Sequence, residues 1–165
     1  MKNIQLIGLM LIILFVAGCS ATNTREYIEP SSVSYEVEEE TDILDSEAIA
    51  AGIKLIQKNL EYAQNEDIEQ YLTTIVESAH ENTKIELNEF FDFYDMEHTI
   101  LGITVLEQEL EEMLIQVEQQ SVAIVSVEEA EPYRDHVSLA NHTLVKENEE
   151  WKIAETTMTE TYFIE

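Results

Sequence analysis

The sequence contains a single cysteine, Cys19, in 165 residues. That excludes an intramolecular disulfide framework and any metal cluster built on cysteines. Of its 4 glycines only Gly52 and Gly102 lie beyond Cys19, so a glycine-rich phosphate cradle is excluded as well. There is no nucleophile elbow, no paired metal-protease histidines and no EF-hand loop. Positive charge is scarce, with 8 Lys and Arg against 35 Asp and Glu, a net charge of −27. Binding a polyanion needs clustered cations that displace its counterions, so nucleic acid is excluded as a partner. Between Lys84 and Arg134 lie 13 acidic residues and no basic one, which leaves no phosphate clamp there. What the chain does have is 45% hydrophobic residues, enough for a core. The length fits one domain with a short appendage.

The appendage is an address. Lys2 precedes an apolar run from Ile4 to Ala17, broken only by Gln5 and Gly8. This is the layout of a secretory signal, and the run is short for a bilayer core, which takes roughly 20 residues. Val16-Ala17-Gly18-Cys19 comes next and resembles the bacterial lipoprotein signal. The resemblance implies diacylglycerol on the Cys19 thiol, cleavage between Gly18 and Cys19, and a mature chain held on the outer face of the cell membrane by its lipid. The alternative is a plain signal anchor with an incidental cysteine. Residues 19–41 carry Pro30, several Ser and Thr, and the acids Glu36, Glu38, Glu39 and Glu40. They read as a self-repelling tether between a signal at 1–18 and a domain at 42–165.

Within 42–165 the periodicity is first helical. Ile49, Ile53, Ile56, Leu60 and Ala63 make one apolar face. Asn65 then reads as the N-cap of a second helix with Ile68, Tyr71, Leu72, Ile75, Val76 and Ala79 on its apolar face. Thr83 and Glu86 have capping-box spacing and start a third, with Leu87, Phe90, Phe91 and Tyr94 as its stripe. After Met96 the period becomes two. Strands are expected over residues 98–106, over 113–118 and on toward Val127, over 136–145 and over 151–164. Glu128 to Tyr133 and Lys146 to Glu150 are expected to be turns. Helices grouped before an antiparallel sheet mean an α+β fold, three helices packed on a curved sheet of about four strands.

That order, with two local segments, resembles the nuclear transport factor 2-like superfamily of α+β cones. One segment is Ile56 to Leu72, a long helix stepping into a polar-capped one that carries Tyr71-Leu72. The other is His142 to Ile153, an apolar strand, Lys146, an acidic turn, then Trp151-Lys152-Ile153; members usually have a glycine where Glu150 stands. The resemblance covers about residues 43–163 and implies a cone-shaped domain. The superfamily holds dehydratases, isomerases, cyclases, dimerisation modules and domains without chemistry, so fold alone assigns no activity. Its enzymes place a His and an acid inside the cone.

Candidate dyads are His98 or His142 with Asp95, Tyr94 or Asp135. The blander alternative is that all four histidines are surface or fully bonded groups, and His80 reads as solvent-facing. Phe90, Phe91, Phe93, Tyr94, Trp151, Tyr162 and Phe163 line a pocket on one reading and pack a core on the other. Glu107, Glu109, Glu111 and Glu112 form an acidic run that could gather Ca²⁺ or be a solvated turn. The expectation is a lipid-anchored extracytoplasmic domain that binds a small apolar ligand or a basic protein partner, with no catalysis, metal or cofactor. The alternatives are a cofactor-independent dehydratase, isomerase or cyclase, and a homodimer that strengthens with salt as like charges are screened.

Overall fold

A computed structural model describes residues 35–37, 45–128 and 130–164. The signal sequence, Gly18 and Cys19 lie outside the described residues, as does the 19–41 segment apart from Tyr35–Val37. The elements in order are β1 (Tyr35–Val37), α1 (Ser46–Gln64), α2 (Ile68–Leu72), a 3₁₀ turn at Glu77–Ala79, α3 (His80–Phe91), β2 (Tyr94–Gln108), β3 (Glu112–Ser126), β4 (His136–Glu147) and β5 (Glu150–Phe163). The sheet runs β1-β2-β3-β4-β5. The four long strands are antiparallel neighbours, and β1 joins parallel to β2, with Tyr35 opposite Ile103. Apart from β1, which precedes the helices and adds a short fifth strand at the β2 edge, this is the expected α+β order of helices and then a curved antiparallel sheet of four strands.

Helix α1 begins where Asp45 accepts hydrogen bonds from the Glu47 and Ala48 amides at 2.8 and 3.2 Å. It buries Ile49, Gly52, Ile56 and Asn59, a single stripe at spacings of three and four. The stripe lies on the sheet where Val105, Met113, Ile115, Val117 and Leu144 are fully buried. Burying each such side chain is worth about 1.5–3 kcal/mol, so this contact anchors the domain. Gly52 sets how close helix and sheet come. A Cβ there would sit 3.0 Å from Met113 Sδ and 3.1 Å from Leu144 Cδ2.

Four helix boundaries differ from the expectation. Asn65 is not the cap of the second helix. Helix α1 closes by donating the Glu66 amide to Ala63 O and the Asp67 amide to Tyr62 O, with Glu66 at φ 55°, and this closure uses up Asn65 and Glu66. Asp67 caps α2 instead, accepting from the Gln70 amide at 3.1 Å. Helix α2 also stops at Leu72 rather than running to Ala79. The hydroxyls of Thr73 and Thr74 bond back to Gln70 O and Tyr71 O. Beyond them the Ile153 amide donates to Thr74 O and the Val76 amide to Ile153 O, so β-branched residues pair with β5 rather than extend a helix. Finally, α3 begins at His80, which puts Thr83 inside it, and Tyr94 opens β2 instead of ending the helical stripe. At the β4–β5 hairpin Asn148 and Glu149 have φ 53° and 67°. Two positive φ values in a two-residue loop make a type I′ turn, and Glu150 is already strand.

Candidate functional site

In an antiparallel sheet, residues directly opposite each other share a face, and that face recurs at every second residue except across a bulge. The concave face can therefore be followed rung by rung from α1 outward. Met113 faces Leu144, Ile115 faces His142, and Val117 faces Ala140. The face then turns polar. Gln119 lies opposite Ser138, and Ser121 lies opposite His136. On β2 a bulge between Ile100 and Gly102 shifts the phase, which brings Ile100 to Gln119 and His98 to Ser121. The last rung thus reads His98, Ser121, His136, Phe163 across four strands.

His98 and His142 are both taken into the structure. His98 Nδ1 meets Ser121 Oγ at 3.0 Å, and its amide donates to Gln64 Oε1 at the end of α1. His142 Nδ1 meets Thr156 Oγ1 at 3.0 Å. Burial holds the pKa of each down to about 4, with the nearby His136 contributing to the shift of His98. Both are neutral at pH 7. Neither bonds the acids or the tyrosine offered as partners: Asp135 Oδ1 accepts from the Ala123 amide, and the Tyr94 hydroxyl donates to Glu131 O. His136 Nδ1 meets Arg134 O at 3.0 Å. His80, expected in solvent, is half-buried with Nε2 3.3 Å from Ile75 O.

Four polar atoms on this face are buried with no hydrogen-bond partner among the described residues: Gln108 Oε1, opposite Met113 at the α1 end, and Gln119 Oε1, Ser138 Oγ and His142 Nε2 toward the other. Gln119 and Ser138 face each other, and His142 lies on the same face of β4, one side chain beyond Ala140. A buried polar group left unmade costs about 1–3 kcal/mol, and such groups are ordinarily satisfied by protein or by ordered water. Along the outer rung stands an aromatic group. Tyr133 lies 5.5 Å from Tyr94, 6.4 Å from Phe90 and 5.8 Å from His136, ring centre to ring centre, and His136 lies 6.3 Å from Phe163. Burial pushes the Tyr133 phenol up to about 12, with Asp135 and Tyr94 adding to it.

The expected aromatic set is divided. Phe90, Phe91, Phe93 and Tyr94 stand together, and Phe163 reaches them through His136 and Tyr133. Trp151 lies at the start of the hairpin's second strand, under the Lys146 ammonium at 5.4 Å, and the Tyr162 hydroxyl donates to Glu160. Tyr133, Ser138, Gln119 and Ser121 are not singled out by the sequence pattern as site residues. Three of them do carry a signal: Gln119 and Ser121 break the apolar phase of β3, and Ser138 breaks that of β4. Of the acidic run, Glu107 lies in β2 and Glu112 opens β3, and the turn between the strands is closed by the Glu109 amide on Glu112 O, with Glu111 paired to Lys146 at 3.7 Å. Among the described residues no group of three or more His, Cys, Asp or Glu is placed to hold a metal, and no helix is long and apolar enough to cross a membrane.

Solved structures share this architecture. A protein of unknown function with a cystatin-like fold from Nostoc punctiforme matches with a TM-score of 0.58 at 13% identity, over 70% of this chain and 92% of its own. A proposed aromatic ring hydroxylase from Novosphingobium aromaticivorans matches with a TM-score of 0.60 at 13% identity, over 73% and 96%. A proposed scytalone dehydratase from the same organism matches with a TM-score of 0.56 at 15% identity, over 70% and 86%. At such identities the likeness is one of fold alone, helices packed on a curved antiparallel sheet. No curated protein matches the sequence. The family described as the anti-sigma-I factor RsgI9, C-terminal domain, matches residues 54–164.

Proposed function

The chain belongs to the anti-sigma-I factor RsgI9 C-terminal domain family, and from that premise we propose that it is a lipid-anchored binding module on the outer face of a bacterial cell membrane. Cys19 carries the lipid after cleavage at Gly18, and the concave sheet face takes a small ligand. Two acyl chains on one residue give stable anchoring. The observation that carries the ligand reading is the patch of Gln119 Oε1, Ser138 Oγ and His142 Nε2, buried without partners among the described residues, between the apolar rungs under α1 and the His98–Ser121–His136 rung. It calls for a ligand with an apolar body and hydrogen-bonding groups of its own. The aromatic rim of Tyr94, Tyr133 and Phe163 supplies flat apolar walls. A ligand of strong negative charge is disfavoured by a chain of net charge −27.

The family name belongs to an anti-sigma factor, which supports a regulatory setting. A signal ending at Cys19 directs the chain beyond it to the outer side, so the domain is read as the part that meets the stimulus. The acid–base alternative, a dehydratase, isomerase or cyclase, needs an imidazole against a carboxylate. The bonds that His98 and His142 make run to hydroxyls, which gives that alternative no support.

Two measurements test the proposal. Cys19→Ala should move the protein from the membrane to the soluble fraction and abolish the lipid mass; unchanged membrane retention contradicts the anchor. A native mass spectrum of the full chain, extracted gently from its host, should show a non-covalent adduct. A bare mass under conditions that preserve weak complexes contradicts the ligand reading.

A further inference from the structure

Strand β5 is the last in the sheet, and among the described residues its far half has neither cover nor a neighbour on its outer side. The segment Thr74–Val76 uses the outer edge at Ile153, with the Ile153 amide donating to Thr74 O at 2.9 Å and the Val76 amide to Ile153 O at 3.1 Å. The chain then leaves into the 3₁₀ turn at Glu77–Ala79. Among the described residues nothing takes its place along Glu155–Thr161, and every residue of that stretch is exposed. Four of the seven are threonine, which favours extended backbone.

Edge strands are ordinarily guarded by Lys, Pro, bulges or a covering element. Glu155–Thr161 contains no Lys, Arg or Pro, although Thr159 is bulged out of the β4 register. Its charges are Glu155 and Glu160. Arg134 is stacked 3.5 Å over the Phe163 ring, beyond that stretch. A second copy of a chain with net charge −27 would meet its own sign along the whole approach, and so would any acidic segment. A basic segment would meet none of that repulsion.

We propose that the outer edge of β5, over Glu155–Thr161, is a docking site that accepts an extended basic segment of a protein partner as an added strand. Its main chain would continue in the place that Thr74–Val76 vacates, and alternate Lys or Arg side chains would lie near Glu155 and Glu160. This inference stands apart from the concave-face reading, since either surface can fail without the other.

The test uses the full chain in mild detergent and a synthetic peptide of alternating Val and Lys, with a Val and Glu peptide as control. Amide hydrogen exchange is followed residue by residue. The Lys peptide should slow exchange at 155–161 at least tenfold, the protection should fade as salt is raised, and the Glu peptide should give none. Thr157→Lys with Glu160→Lys, two exposed positions, should abolish the protection while leaving the melting temperature unchanged. Absent protection, equal protection by the Glu peptide, or protection that survives the double substitution overturns the proposal. So does slowed exchange at 155–161 with doubled mass and no peptide, which would make the occupant a second copy.

Discussion

Gln119 and Ser138 sit directly opposite each other on the concave side of β3 and β4, and neither Gln119 Oε1 nor Ser138 Oγ has a hydrogen-bond partner among the described residues. Two neighbouring polar atoms buried this way cost free energy in the empty protein. Replacing both by apolar groups removes that cost, whereas replacing a bonded group creates one. Gln119→Leu with Ser138→Ala should therefore leave the unliganded domain as stable as before, or more stable by about 1–3 kcal/mol. Thermal melting of stripped protein checks this; a loss of similar size would mean that both groups are internally bonded.

Gly52 sits where α1 packs closely on the sheet. A Cβ would come within 3.0 Å of Met113 Sδ and 3.2 Å of Ile115 Cδ1. The sulfur is the end of a flexible side chain and can yield, but Leu144 and Ile115 also crowd the position. Overpacking of this kind costs about 1–3 kcal/mol, against about 1 kcal/mol gained by removing glycine from a helix. Gly52→Ala should come out close to neutral or slightly destabilising, and Gly52→Val clearly destabilising. Denaturant midpoints of the two variants distinguish these outcomes.

Glu149 occupies the second central position of a type I′ turn at φ 67°. A residue other than Gly, Asn or Asp in this region is strained by about 1–2 kcal/mol. Glu149→Gly should relieve that and stabilise the domain by about 1 kcal/mol after the entropy of glycine is set against it. A rise in melting temperature is the check. The same substitution at Asn148 should gain less, because Asn already tolerates the left-handed region.

His98 and His142 are buried with pKa values near 4, below the value of about 6.5 that an unfolded histidine has. Between those values the unfolded chain binds more protons than the folded one, so stability falls as pH falls. The contribution is complete above about pH 6.5 and is lost progressively toward pH 4. Denaturant unfolding across this range should show the loss, and His142→Gln should flatten it. A profile equally steep in the variant would assign the dependence to carboxylates.

Much of the fold is legible in the sequence because local pattern and tertiary outcome agree. The stripe of Ile49, Ile53 and Ile56 becomes α1, and the period-two runs become the four long strands. The end of the second helix is not legible, because Ile75 and Val76 continue its apolar spacing while their backbone pairs with Ile153, a partner far along the chain. The caps mislead for a similar reason: Asn65 is a good cap by type, but the Glu66 closure claims it. The site is half visible. His98 and His142 stand out as residues, but their hydroxyl partners Ser121 and Thr156 depend on strand register, and the β2 bulge that brings His98 to Ser121 is marked in the sequence only by Gly102 beside it. Tyr133 reads as part of a turn, and its place in the aromatic rim comes from packing against Phe90 and Tyr94.

The central claim is that the polar patch on the concave face holds a ligand. Native mass spectra of the wild-type chain and of the Gln119→Leu, Ser138→Ala variant, prepared side by side from the same host, test it most directly. The account predicts an adduct on the wild type and a bare chain for the variant, with both proteins folded. An adduct retained at equal occupancy by the variant, or a bare wild type, would contradict it.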